Sequence, residues 1–99
     1  MEKLLKIIAK LRGPGGCPWD KVQTHQSLKR YLLEETYDLL EALDENDDAH
    51  LIEEMGDVLL QLVLHAQLKA EKKRFTFKDV VKRLEDKMIY RHHHVFKNA

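Results

Sequence analysis

The 99-residue chain holds one cysteine, Cys17, so an intramolecular disulfide is excluded and so is a zinc cluster built on thiolates. A surplus of one charge is missing too. Lys plus Arg and Asp plus Glu each number 17, and this balance removes the electrostatic mark of a protein that binds nucleic-acid polymers or other polyanions over its whole surface. Any charge-based function has to be local. The longest apolar stretch, Val58 to Leu68, falls well below the roughly 20 residues a membrane span needs, and the opening Met1-Glu-Lys-Leu-Leu-Lys is broken by lysines. The expectation is a cytoplasmic protein with no membrane partner. Strand-like alternation, internal repeats, low-complexity tracts and linkers are also lacking, so residues 1–99 read as one all-α domain. At this length the core is small, and burial against a partner is a reasonable starting assumption.

What is present repeats at helical spacing. Leu4, Ile7, Ile8 and Leu11 mark a first helix that stops at Gly13-Pro14-Gly15-Gly16. After Cys17-Pro18-Trp19-Asp20 a second helix starts near Thr24 to Ser27, carries Leu28, Leu32, Leu39 and Leu43, and ends in the acidic turn Asp44 to Asp48. A third runs from about Ala49 to Lys72, where Lys72-Lys73-Arg74 complements the negative end of the helix dipole. Thr76 with Asp79 resembles a capping box and opens a fourth helix with Phe77, Val80, Val81, Leu84 and Met88 as its seam. Four antiparallel helices in a bundle-like domain are the economical architecture. Val58 to Leu64 is apolar around nearly the whole circumference of the third helix, which predicts that neighbours enclose it, partly from another subunit.

Several acids fall where solvent is not expected. At about 100° per residue, Glu35 lies inside the leucine stripe of the second helix and Asp38 at its edge, while Glu34 and Glu41 fall further out beside Arg30. A buried, unpaired carboxylate costs several kcal/mol, so an inward acid is neutral, paired with a cation, or bound to a metal. On the third helix Glu54, Asp57, Gln61 and His65 share one side as a polar strip. Gly56 among them, roughly 1 kcal/mol worse than Ala inside a helix, suggests close approach of a neighbouring backbone or a ligand. An acidic run on one helix is ordinarily a solvated face. Two inward pairs at i, i+3, Glu35 with Asp38 and Glu54 with Asp57, instead make an all-oxygen donor set for a hard cation. Mg²⁺ fits that set, as does Mn²⁺, whereas Zn²⁺ prefers nitrogen or sulfur and a di-iron bundle needs Glu-x-x-His, which is absent.

Leu33-Glu34-Glu35-Thr36-Tyr37-Asp38 followed by Glu54-Met55-Gly56-Asp57 resembles the EExxE and ExxD signature of the all-α nucleoside triphosphate pyrophosphohydrolases, and within them the MazG group. The likeness extends over Gly16-Cys17-Pro18-Trp19-Asp20 with Gln23-Thr24, Tyr31 to Glu35, Glu54 to Gln61, and Asp86-Lys87-Met88 with Arg91-His92. It implies Mg²⁺-dependent hydrolysis of nucleoside triphosphates to a monophosphate and pyrophosphate. By the same resemblance Glu35, Asp38, Glu54 and Asp57 hold the metal, Lys87 and Arg91 bind the triphosphate and stabilise the growing charge, and the assembly is a homodimer or builds on one. Glu34 or Glu41 is the candidate for orienting the attacking water, although the stronger reading of both is a plain solvated surface acid. Trp19, the only tryptophan, stacks on the base or packs under the first helix.

Departures from the family pattern are local. Asp38 stands where Glu is usual, His50 where a lysine is often seen, and Arg91-His92-His93-His94-Val95-Phe96 where the ending is usually Arg-His-Pro-His-Val-Phe. The histidine run reads as a helix end, since adjacent residues point in different directions. His65 reads as a satisfied core histidine, Tyr31 and Tyr37 as core or interface, and Cys17 as inert. Two alternatives stay open. One is a non-catalytic helical dimerisation module of a longer protein. The other is a specialised relative acting on deoxynucleotides or phosphoribosyl-ATP with the same carboxylates.

Overall fold

Local chemistry explains where each helix begins and ends. In the computed structural model, which describes residues 1–97, α1 (Glu2–Arg12) carries Lys10 and Arg12 in its last turn and stops at Gly13. Gly16 then passes so close to the end of α1 that a Cβ there would collide with the Leu11 and Lys10 carbonyls. Pro18, at the first turn where its missing N–H is harmless, opens the one-turn helix α2 (Pro18–Lys21). In α3 (His25–Asp44) the Thr24 side chain accepts from the Ser27 N–H at 3.1 Å, and Ser27 Oγ accepts from the Thr24 N–H at 2.8 Å. Asp47 caps α4 (Asp48–Glu71) by accepting from the His50 N–H at 3.2 Å.

The end of α4 closes with the Arg74 N–H reaching the Lys69 carbonyl and the Lys73 N–H reaching that of Ala70, which puts Lys73 at φ 57°. That is the Schellman pattern with lysine where glycine is usual. Thr76 and Asp79 form the expected capping box at the start of α5 (Phe77–Arg91). A final short helix, α6 (His93–Phe96), completes the described chain.

The all-α expectation is borne out, with six helices and no strand among the described residues. The core is Ile8, Leu28, Val63, Leu64 and Leu68, with Leu4, Leu5, Tyr31, Leu59, Leu60 and Phe77 packed against it. It is built mainly where α3 lies along α4, with α1 across the C-terminal half of α4. Three details differ from the periodic reading. Leu43 is exposed and Ala42, one residue earlier, is the buried position. Leu62 on the nearly all-apolar α4 is 47% exposed. Most of α5 stands away from the core: Phe77 packs on it, yet Leu84 is 53% and Met88 43% exposed.

Periodicity identified the apolar faces but not what they meet, and these remain uncovered within one chain. The radius of gyration of 16.1 Å accordingly exceeds the about 13 Å of a compact chain of 100 residues. No helix among the described residues is long and apolar enough to cross a membrane.

Candidate metal centre

The acids come together because α3 and α4 run side by side with their polar positions in register. Glu35 on α3 and Glu54 on α4 are half-buried, Asp38 is exposed, and all three offer carboxylate oxygens within 4.8 Å of one another. No other group of three or more His, Cys, Asp or Glu donors this close occurs among the described residues. Asp57, half-buried and one turn beyond Glu54, lies outside that mutual set. Its charge still reaches Glu35. The Glu35 carboxyl is pushed above its ordinary value by burial first, then by Asp57, Asp38, Glu54 and Glu34. Every charge acting on it is negative.

One oxygen of the cluster has nothing to bond. Glu54 Oε1 meets His50 Nε2 at 3.2 Å, but Glu54 Oε2 is buried and has no hydrogen-bond partner among the described residues. An orphaned carboxylate oxygen normally carries a desolvation cost that a partner offsets. Orphaned acceptor, all-carboxylate donors and mutual repulsion together fit a divalent cation with a preference for oxygen. His50, in the place of a lysine, sits between Glu45 (2.7 Å) and Glu54, and both contacts raise its pKa, Glu45 the more.

The remaining site residues are not members of the three-carboxylate cluster. Glu34 is exposed and pairs with Arg30 at 3.5 Å; Glu41 is also exposed. Lys87 is half-buried in a shallow depression with Phe75, Asp79, Val80, Arg83 and Leu84, and Arg91 is exposed one turn further along α5. Lys87 and Arg91 stand on α5, which packs against α4, the helix that carries Glu54 and Asp57.

Trp19 is 48% exposed on α2 and meets the Tyr31 ring edge-on, centroids 5.6 Å apart. Tyr31 precedes Glu35 by one turn, so the indole lies toward the face of α3 that carries the acids. Gly56 is exposed with nothing within 4 Å of an added Cβ, so close packing inside the chain is not its reason. His92 Nδ1 donates to the Met88 carbonyl at 2.8 Å, in line with a helix end.

Two pairs escaped the sequence reading. Arg12 bonds Glu71 with both prongs of its guanidinium, and His65 finds His25 as its partner, Nδ1 to Nδ1 at 2.7 Å, while both Nε2 atoms have none among the described residues. Partners 59 and 40 residues apart leave no local signal.

Residues 23–96 match the family model of the MazG nucleotide pyrophosphohydrolase domain. The chain belongs to this family. It is 62% identical over 93 residues to the uncharacterized protein YabN of Bacillus subtilis, covering 94% of this chain and 19% of YabN. It is 56% identical over 95 residues to the nucleoside triphosphate pyrophosphohydrolase/pyrophosphatase MazG of Thermotoga maritima, covering 96% and 37% of the two chains. With the nucleoside triphosphate pyrophosphohydrolase of Escherichia coli K12 the identity is 44% over 100 residues, covering 100% and 38%. The chain spans between a fifth and two fifths of the length of these relatives. The Glu35, Asp38 and Glu54 cluster lies within the region matched to the MazG domain.

Proposed function

We propose that this MazG-family chain hydrolyses nucleoside triphosphates at the α–β phosphoanhydride bond, giving a nucleoside monophosphate and pyrophosphate with Mg²⁺ as cofactor. The observation that carries the reading is the buried Glu54 Oε2, without a hydrogen-bond partner among the described residues and beside the carboxylates of Glu35 and Asp38. Glu35, Asp38, Glu54 and Asp57 hold the ion; Mn²⁺ suits the same oxygens. When bound, the cation supplies charge neutralisation for the phosphates and the pyrophosphate leaving group. Lys87 and Arg91, one turn apart, bind the triphosphate oxygens by charge-assisted bonds and strengthen them as charge grows on the leaving group. Glu34, whose tie to Arg30 is a long, exposed ion pair, orients the water, with Glu41 as the other candidate. Trp19 stacks on the base. Residues 1–99 act as one domain, in the cytoplasm, as a homodimer or a larger assembly of the same chain.

A second reading has its own observation. The apolar seam of α5 is exposed within one chain, as in a non-catalytic dimerisation module of a longer protein. Pyrophosphate release from a panel of ribo- and deoxynucleoside triphosphates, with Mg²⁺ and with chelator, separates the two. Metal-dependent release is expected, lost with chelator. Lys87→Ala and Arg91→Ala should keep metal binding by calorimetry and lose roughly 1–3 kcal/mol of transition-state stabilisation. A chain that dimerises and binds Mg²⁺ yet releases no pyrophosphate from any nucleotide supports the dimerisation module.

A further inference from the structure

We infer that the Arg12–Glu71 ion pair is a positioning device for Trp19, holding the α2 helix so that the indole stands ready for the nucleotide base. The inference rests on the reading of Trp19 as the base-stacking residue.

Arg12 ends α1, and its side chain is only 8% exposed. Its Nε and Nη2 donate to the two oxygens of Glu71 at 2.7 and 3.0 Å. The remaining arm, Nη1, donates to the Asp20 carbonyl and, at 3.4 Å, to that of Gln23. The Asp20 carbonyl belongs to α2 and also accepts from the Gln23 N–H at 3.4 Å, and the Gln23 carbonyl lies just past the end of α2. A planar guanidinium can serve a carboxylate on one edge and carbonyls on another at once, which an ammonium cannot do in fixed geometry. The geometry is therefore specific to arginine.

Little else holds α2. It contributes no buried residue, and a four-residue helix has no stability of its own. Its other ties are the Cys17 N–H to the Leu11 carbonyl at 2.8 Å and Gln23 Nε2 to the Trp19 carbonyl at 2.9 Å. Gln23 is itself fixed by Ser27 Oγ at 2.7 Å, in the first turn of α3. The carbonyl ends of α2 and the start of α3 are thus gathered on one arginine, and Trp19 is carried between them. Its edge rests on Tyr31, one turn from Glu35, or about 6 Å along the axis of α3. A nucleoside triphosphate spans more than that distance. Glu71, by contrast, lies roughly 20 Å along α4 from Asp57, too far to act on the acids directly. An effect of the pair on substrate has to pass through α2.

Trp19 is the only tryptophan, so tryptophan-selective fluorescence reports on α2 alone. The test is acrylamide quenching of Trp19 in the full chain and in Arg12→Ala, Arg12→Lys and Glu71→Gln, together with KM and kcat for Mg²⁺-dependent pyrophosphate release in these and in Trp19→Ala. Arg12→Ala should raise quenching and raise KM by about tenfold, the loss of one base–aromatic stack, with kcat nearly held. Arg12→Lys should restore part of both, and Glu71→Gln should fall between parent and Arg12→Ala. If Arg12→Ala does not fold, Arg12→Lys and Glu71→Gln carry the same comparison. Unchanged quenching in the Arg12 and Glu71 variants, or a fall in kcat at constant KM, overturns the inference while Trp19→Ala still raises KM. An unchanged KM in Trp19→Ala removes the stacking reading and the inference with it.

Discussion

His25 and His65 stack with their planes within 8° of parallel and their Nδ1 atoms 2.7 Å apart, joining the first turn of α3 to the C-terminal half of α4. One ring must donate and the other accept. Full protonation of both rings deletes the bond and sets two positive charges against each other at the positive end of the α3 dipole.

A pH prediction follows from that pair. Burial, and then the charge of His25, lower the His65 pKa from 6.5. The unfolded chain therefore binds more protons than the folded one between the lowered value and 6.5. The contribution of His65 is fully present above 6.5 and is lost as pH falls toward the folded pKa. Glu35 and His50, both raised, act in the opposite direction, so the variant must be compared with the parent. Melting temperatures of parent and His65→Gln, from about pH 8 to about pH 5, should show a shallower acid decline in the variant. Parallel curves would mean that the pair does not govern stability.

Glu35→Gln should separate charge from packing. The Glu35 pKa is raised, so the folded chain holds that proton more tightly, and the ionised carboxylate opposes folding at neutral pH. Acidification relieves this, beginning as pH falls through the raised value and complete below 4.5. A neutral amide of the same size should leave the metal-free protein at least as stable. Mg²⁺ should raise the melting temperature of the parent, by about 2.7 kcal/mol of binding energy at a hundredfold excess over Kd, and hardly move the variant. Turnover should vanish in the variant. A strongly destabilised Glu35→Gln that still released pyrophosphate would make Glu35 a structural buried group.

Two glycines should respond oppositely to alanine. At Gly16 the new methyl meets the backbone carbonyls of Leu11 and Lys10, which cannot yield without moving the end of α1, so a loss of about 1–3 kcal/mol is expected. At Gly56 the methyl meets open space inside a helix, so a gain of up to about 1 kcal/mol is expected. Gly56 nevertheless lies between Glu54 and Asp57. If the phosphates approach over it, turnover should fall as stability rises. Urea midpoints and pyrophosphate release on the two variants check both signs.

The helix starts were legible because capping is local: Thr24 with Ser27 and Thr76 with Asp79 reach only three residues. The inward position of Glu35 was legible from the leucine stripe, since burial of one helical face follows from spacing. The role of Arg12, by contrast, leaves no local signal, because only tertiary packing turns it toward Glu71 and the α2 carbonyls. Gly56 was read as a site of close approach, yet the chain itself leaves the space empty. The bundle was legible as apolar faces but not in its closure, because periodicity cannot say whether a seam meets its own chain or another.

That last point carries the assembly prediction. Val80, Val81, Leu84 and Met88 repeat along one side of α5 and are between 37% and 53% exposed, while Leu62 opens a second apolar patch on α4. Contiguous apolar surface of this kind on a small chain is unfavourable in water, and a second copy covers it most simply. Sedimentation at micromolar concentration should therefore show a multiple of the 11.7 kDa chain. Leu84→Glu places a charge in the middle of the seam and should shift the population toward monomer with little loss of helix, since Leu84 contributes nothing to the core of one chain. Turnover should decline with it. Lys87 and Arg91 stand on the same helix as the seam, so the contact that covers α5 also fixes where these two cations sit. A parent sedimenting only at 11.7 kDa with full activity would overturn both halves of the prediction.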